Sequence, residues 1–560
     1  MSTITSAIAW PVRLGSWLDD RINPIVVKEL RQSVKSRFVV AVLMLLLVIL
    51  LISLMATLMN MDLREVDDGA GAELFMLFQG ILLATCMLFV PVYVGVRLAA
   101  ERATTTSDLL YITTIRPSSI IWGKLLAGMV VTALAFSACV PFMVITFLLR
   151  GIDLPTIFFI LGLDALTVLA ATQLAIFIAT MPLGWPIKLL LGLVMLAISG
   201  MVFVGLMDLI SDVLLGYGVG SLIDEPDFWL AMGVGIGGWV AAVALVFLLS
   251  VSIISPPTAN RAPGPRLYFT FLVLATLGTF VFLSLRFQQS EFLTVWLYFA
   301  VPILAIAAMI SGSERDRWGP RLRRAIPRNR VLRPLAFLLY SGAAGGLIWS
   351  AALYFVAMIG IAGGIYLLES GWASGWLGTV GLYGYSGDFI PDWEQRFASV
   401  GFWVYGYLLL SVLICRRLLK ATNGAVGTGV VALCLMAAAS ILPMIIAYAV
   451  DPKHWDMKVE YWLILNPFGP MMCGNSDWSG LYGGYALPLS AAFFSAMVMI
   501  NIPWFARQIA DFRPPRDSTI DAPRGGDSPD PLLTSQASAL AGARDPEAAA
   551  EVSENEADRG

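Results

Sequence analysis

The chain has 560 residues, of which 58% are hydrophobic and only 13% charged, against roughly half apolar and a quarter charged in soluble domains. Water is therefore not its main solvent. The formal net charge of −3 says little by itself, because the charges are segregated along the chain.

Apolar runs of about 20 residues or more recur along the sequence, long enough to cross a hydrocarbon core as helices. Backbone groups in lipid must be satisfied internally, so each run is read as a helix. A transmembrane barrel is excluded, because its strands would alternate apolar and polar over about ten residues. The expected fold class is all-α, a polytopic transmembrane helical bundle of about twelve spans in two six-helix halves, with both termini cytoplasmic.

In chain order, residues 1–37 form a cytoplasmic segment with an amphipathic interfacial helix. Asn23 caps it, Pro24 opens it, and Val26, Leu30 and Val34 form its apolar stripe. Lys28, Arg31 and Lys35 lie off that stripe, which suits a helix in the inner interface reaching anionic headgroups. The first long apolar run begins near residue 38 behind this basic segment, so no signal peptide is expected.

The first half, 38–252, carries spans at about 38–59, 74–98, 121–149, 156–181, 187–209 and 228–251. Asp164 shares a face of its span with Thr167 and Ala171, where it can line a polar path or bind another helix. A linker at 253–266 leads to the second half, 267–510, with spans at about 268–285, 292–311, 335–368, 400–415, 426–450 and 485–506. The run 335–368 is long for one crossing, and a tilted helix that begins in the cytoplasm accounts for the excess. Three Gly-x-x-x-Gly pairs (Gly233 with Gly237, Gly342 with Gly346, Gly360 with Gly364) are read as helix-packing sites. The segment 511–560 is rich in Pro, Ser, Ala, Asp and Glu and is expected to be a disordered cytoplasmic tail.

Alternate connections are basic, culminating in the loop 313–334 with Arg315, Arg317, Arg321, Arg323, Arg324, Arg328, Arg330 and Arg333. The intervening ones are acidic or aromatic, including Asp62, Glu65, Asp212, Glu225 and Asp388. The positive-inside rule places the basic set in the cytoplasm, and an even number of spans satisfies it. The five cysteines have no metal-ligand spacing, and His454 is the only histidine.

The connection between the second and third spans has more pattern than a plain loop. Glu101 and Arg102 are followed by Ser107, which can cap a short helix with Asp108 in its first turn. Leu109, Leu110, Ile112 and Ile115 supply its apolar contacts, Thr113 to Pro117 read Thr-Thr-Ile-Arg-Pro, and Gly123 and Lys124 enter the next apolar span.

Together with Asn23–Pro24 and Lys28-Glu29-Leu30-Arg31, this stretch resembles the coupling-helix region of type-2 ATP-binding-cassette permeases over about residues 23–150. The resemblance implies a coupling helix near 104–116 that docks on a separate ATPase subunit. Its candidate coupling residues are Glu101, Arg102, Asp108, Leu109, Leu110, Thr113, Arg116 and Lys124. Glu314 and Arg315, followed by Ile326, Pro327 and Arg328, parallel Glu101 and Arg102 with Ile115, Arg116 and Pro117, and would be a second coupling segment if the chain is duplicated. A family chain has about six spans and pairs with another, so the translocation unit here is either a homodimer or a pseudo-dimer within one chain.

No Gly-x-x-x-x-Gly-Lys-Ser/Thr stretch is present, and Gly123-Lys124 is followed by Leu125. ATP is thus expected on the partner subunit, with no cofactor bound by this chain and no enzymatic activity of its own. Membrane lipids are the other expected partners, and nucleic acid is not one. The expected location is the cell membrane, or the inner membrane in a cell with two. An ion-coupled secondary transporter is the alternative, since twelve spans in two halves is also a common plan there.

Overall fold

The computed structural model describes residues 24–60, 70–103, 116–149, 152–215, 225–256, 259–314, 318–369, 393–417, 427–450, 465–472 and 483–514. The chain divides into two units, Met1–Phe512 and Arg513–Gly560, and nearly all of the second lies outside the described residues. So do His454, Cys473 and Arg315.

Among the described residues every regular element is an α-helix. The first half contains α1 (Pro24–Val34), α2 (Arg37–Asn60), α3 (Ala70–Ala103), α4 (Pro117–Leu148), α5 (Leu154–Thr180), α6 (Trp185–Leu215) and α7 (Pro226–Ile254). The second contains α8 (Pro263–Phe287), α9 (Glu291–Gly312), the short α10 (Pro320–Arg324) and α11 (Leu332–Leu339), then α12 (Ala343–Glu369), α13 (Trp393–Arg417), α14 (Gly427–Val450), α15 (Gly469–Met472) and α16 (Gly483–Asp511).

Local chemistry fixes several boundaries. Proline in the first turn opens α4, α5, α7 and α8, where its missing N–H has no partner to lose. Asp153 caps α5 by accepting from the Thr156 N–H at 3.3 Å. Gln288 ends α8 in the left-handed region, φ 54°, and the chain turns straight into α9.

Among the described residues, eleven helices are long and apolar enough to cross a membrane. They are α2 to α9, α12, α13 and α16. The twelfth expected span corresponds to α14, whose apolar stretch Gly427–Pro443 is shorter. Burial identifies the organising helices: half of the apolar window of α3 and 72% of that of α13 are buried, against 6% for α6 and α7. Helices α3 and α13 are therefore hubs, while α6 and α7 turn most of their apolar side chains outward.

Two large apolar cores result. One gathers Phe75, Phe78, Leu82, Ile160 and Val168 from α3 and α5 with Leu46 and Leu50 of α2. The other gathers Trp296, Leu347, Tyr354, Trp403 and Leu408 from α9, α12 and α13. Helix α7 touches both sides: the Trp239 indole donates to the Leu166 carbonyl of α5 at 3.1 Å, and the Tyr268 hydroxyl of α8 donates to the Ala241 carbonyl at 3.0 Å.

The structure corrects two sequence readings. The run 335–368 is two helices, α11 and α12, interrupted at Tyr340 to Gly342, where Tyr340 takes an extended backbone of φ −83° and ψ 149°. A buried arginine holds that break open, as described below. The glycine pairs also differ in role. A Cβ on Gly360 would lie 2.6 Å from Leu277 and one on Gly346 2.7 Å from Ser311, so those glycines permit close helix contact. Gly233 and Gly237 meet nothing within 4 Å among the described residues, and their pair packs no helix of this chain there.

Candidate functional site

Four charged side chains converge where α1, α3 and α4 meet. Arg97 and Glu101 are one turn apart near the end of α3, Lys124 lies in the second turn of α4, and Glu29 is in the middle of α1. The Lys124 ammonium donates to Glu29 Oε1 at 2.8 Å and to Glu101 Oε1 and Oε2 at 2.8 and 2.7 Å. Arg97 approaches Glu101 Oε1 at 3.6 Å and Glu29 Oε2 at 4.0 Å, donates to the Tyr93 hydroxyl at 2.9 Å, and donates to Gln32 Oε1.

The inner half of this cluster is dry. Lys124 is 3% exposed and Glu29 4%, so each depends on the other to offset the loss of hydration. Glu101 and Arg97 form the wetter rim, with side chains 46% and 25% exposed.

The face that α1 presents to the bundle is not the stripe read from its sequence. Glu29 and Ser33 are buried, while Val34 is 51% exposed. A charged residue faces inward because Lys124 waits there, a contact 95 residues away that helical periodicity does not reveal. Lys28, Arg31 and Lys35 are exposed on the outer side.

Of the other coupling candidates, Arg116 is exposed ahead of α4. Asp108, Leu109, Leu110 and Thr113 lie outside the described residues. Arg102 turns away from the cluster and donates to the Thr180 carbonyl at the end of α5. The ends of the 104–115 connection are thus both anchored: Glu101, two residues before Ala103, is tied to Lys124, seven residues into the helix that Pro117 opens.

A second cluster forms in the other half. Arg266, 3% exposed, pairs with Glu314 at 2.8 Å. Its guanidinium also donates to the carbonyls of Leu338 and Tyr340, at 2.6 and 2.9 Å, and to Gly342 at 3.5 Å. Glu314 in turn accepts from the Gly342 N–H at 2.6 Å. The bonds to the Leu338 and Tyr340 carbonyls and to the Gly342 N–H satisfy backbone groups that the interruption between α11 and α12 leaves without helical partners, whereas the Gly342 carbonyl also accepts from the Gly346 N–H at 2.9 Å. Trp349 covers the guanidinium, its ring centroid 5.6 Å from Cζ. At the same break the Tyr340 hydroxyl donates to the Ala325 carbonyl at 2.6 Å, and burial pushes its pKa up.

Glu101 and Glu314 therefore both terminate the second span of their half and both bind a buried cation. The cations come from different elements, Lys124 from the third span and Arg266 from the first of its half. The likeness extends to the acid and stops at the base.

Asp164 is fully buried and joins α5 to α3. Gln79 Nε2 donates to both its oxygens at 2.9 Å, while Gln79 Oε1 has no hydrogen-bond partner among the described residues. Asp164→Asn is expected to be neutral or stabilising, because the new amide can donate to that oxygen. Asp164→Leu is expected to destabilise by about 1–3 kcal/mol by stranding the Gln79 amide. Thermal unfolding of the two variants in one detergent separates these outcomes.

Sequence reading does not single out Glu29, Gln79, Arg97 or Arg266 as site residues. The one signal for them is their occurrence as polar residues inside or beside apolar runs. No group of three or more His, Cys, Asp or Glu side chains is placed to hold a metal among the described residues.

This arrangement of long apolar helices, with few buried charges and a buried carboxylate, Asp164, in mid-span, defines a multi-pass α-helical membrane protein. Comparison with family models, with curated proteins and with solved structures finds no match.

Proposed function

We propose that this chain is the transmembrane permease subunit of an ATP-binding-cassette exporter, moving its substrate outward with energy from a separate ATPase subunit. The observation that carries the reading is the coupling-type sequence from Glu101 to Lys124, whose two ends are clamped to each other and to α1 through Lys124, Glu29 and Glu101. A segment that transmits force from a soluble partner needs a stiff base, and buried, hydrogen-bonded charge pairs in a low-dielectric site supply one. Residues 104–116 would dock on the ATPase, and the α3 and α4 ends would carry its movement into the membrane.

In this reading the termini, the 104–116 segment and the arginine-rich segment 313–334 face the cytoplasm, with the chain in the cell membrane or in the inner of two. Glu314 with its neighbouring arginines is the second contact for the ATPase pair, and one chain supplies both halves of the unit.

Co-purification of the intact chain with a nucleotide-binding subunit tests the proposal. Leu109→Asp and Leu110→Asp are each expected to weaken that association by about 2 kcal/mol, roughly thirtyfold, as for a buried anchor in a protein interface. Folding of the membrane domain should be unchanged. Unaltered association and unaltered substrate-stimulated ATP hydrolysis in both variants would remove the coupling assignment.

One observation favours a second reading, an ion-coupled transporter. Asp164 is a carboxylate in mid-span with a single amide partner, the kind of group from which proton or cation pathways are built. Transport by the chain alone in vesicles, driven by an ion gradient without ATP, would select it.

A further inference from the structure

Between α3, α5 and α6 lies a groove that is apolar along its length and cationic at one end. Its volume is about 190 Å3, comparable with about six waters at roughly 30 Å3 each and suited to part of one hydrocarbon chain. Small residues keep it open: Gly95 and Ala99 on α3, Ala175 and Ala179 on α5, and Gly192 on α6. The flanking Leu189 and Leu193 of α6 are more than half exposed, so the groove borders on the apolar outer surface of the bundle.

Two cations mark its end. Lys188 lines the groove and donates to the Ala179 carbonyl at 3.1 Å, and Arg102 donates to the adjoining Thr180 carbonyl. Neither has a carboxylate within 4.0 Å among the described residues. Among the described residues each makes one hydrogen bond to a protein acceptor, whereas an ammonium has three donors and a guanidinium five. Helix α5 ends at Thr180 and α6 begins at Trp185, so the turn between them lies at one face of the membrane. Trp185 lines the groove there and is 64% exposed, as suits an indole at headgroup level.

An apolar slot that ends, at headgroup depth, in two cations with no carboxylate among the described residues within 4.0 Å is complementary to an amphiphile with a negative head. We propose that the groove holds an anionic phospholipid of the surrounding bilayer. One acyl chain lies between α3, α5 and α6, and the phosphate rests on Arg102 and Lys188. It is a resident lipid that fastens the end of α3 to the α5–α6 turn. The inference requires neither the exporter reading nor a choice of membrane side.

The test reconstitutes the intact chain in bilayers of equal parts phosphatidylglycerol and phosphatidylcholine, extracts it gently, and determines the retained lipid by native mass spectrometry. The unaltered chain is expected to retain one phosphatidylglycerol in preference to phosphatidylcholine, by roughly tenfold or more for two cations at the surface. Arg102→Gln with Lys188→Gln should remove the preference. Gly192→Phe, which meets no atom within 4 Å of its new Cβ, should fill the slot and remove retention while leaving both charges in place. Equal retention of the two lipids by the unaltered chain would overturn the proposal. So would a preference that survives the double charge change, because the arginines of 313–334 would then be holding the lipid, or retention that survives Gly192→Phe.

Discussion

Replacing Lys124 by methionine is expected to destabilise the membrane domain by about 3–5 kcal/mol, the range for removing one partner of a buried ion pair. Methionine fills much of the space of the lysine stem, so the loss comes from charge rather than packing. Glu29, 4% exposed, would be left with Arg97, at 4.0 Å, as its one remaining cation among the described residues. Glu101 would turn to water at little loss, since it is already half exposed. The cycle is decisive: Lys124→Met with Glu29→Gln should recover more than half of the loss, because the stranded charge is then gone. Denaturant or thermal unfolding in one detergent measures all three variants. A change below about 1 kcal/mol for Lys124→Met, the value of an exposed pair, would show that the cluster is hydrated and that α1 is not held by it.

Arg266→Met is expected to have an effect of the same size, about 3–5 kcal/mol, through a different mechanism. The guanidinium binds Glu314 and three backbone carbonyls around the break between α11 and α12. Its removal orphans the Leu338 and Tyr340 carbonyls at about 1–3 kcal/mol for each that water does not reach, while the Gly342 carbonyl keeps the Gly346 N–H. Arg266→Lys should not rescue, because a single ammonium cannot span Leu338, Tyr340 and Gly342 with the fork of a guanidinium. Glu314→Gln should cost less, about 1–3 kcal/mol: it withdraws the carboxylate from the buried guanidinium, but its amide oxygen can still accept from the Gly342 N–H and the Leu338 and Tyr340 carbonyls still hold Arg266. Protease susceptibility of 313–342 provides a local readout, expected to rise in Arg266→Met and not in Glu314→Gln. Equal stability of Arg266→Lys and the unaltered chain would show that the carbonyl contacts contribute little.

Much of the fold is legible in the sequence because lipid removes choices. A run such as 37–60 can satisfy its backbone only as a helix, and every expected span except 335–368 lies in one described helix to within a residue at its ends, α14 with a shorter apolar stretch than the rest. The run 335–368 was misread because hydropathy averages over a break: Tyr340, Ser341 and Gly342 are not polar enough to interrupt the signal. What interrupts the helix is Arg266, more than 70 residues earlier. Hydropathy likewise does not rank α13 above α6 in burial: α6 is the more apolar, with a mean hydropathy of 2.6 against 1.9, yet it is mostly exposed and α13 mostly buried, because the two face different neighbours.

The candidate site was half legible. Glu101, Arg102 and Lys124 stand out as charges beside apolar spans. Their division of labour does not, because Glu101 joins Lys124 while its neighbour Arg102 leaves for Thr180. Adjacent residues on a helix point about 100° apart, so a dipeptide seen as one motif serves two contacts.

The sequence by itself determined that this protein is a bundle of long apolar helices and where its charges concentrate, since solvation by lipid acts on each segment independently. Only the tertiary structure decided which charges meet. It brought Glu29 to Lys124, Gln79 to Asp164 and Arg266 to Glu314, and set Lys188 and Arg102 beside an apolar groove with no carboxylate among the described residues within 4.0 Å. Those pairings depend on the packing of helices far apart in the chain, and a buried charge is settled by the one partner that packing delivers to it.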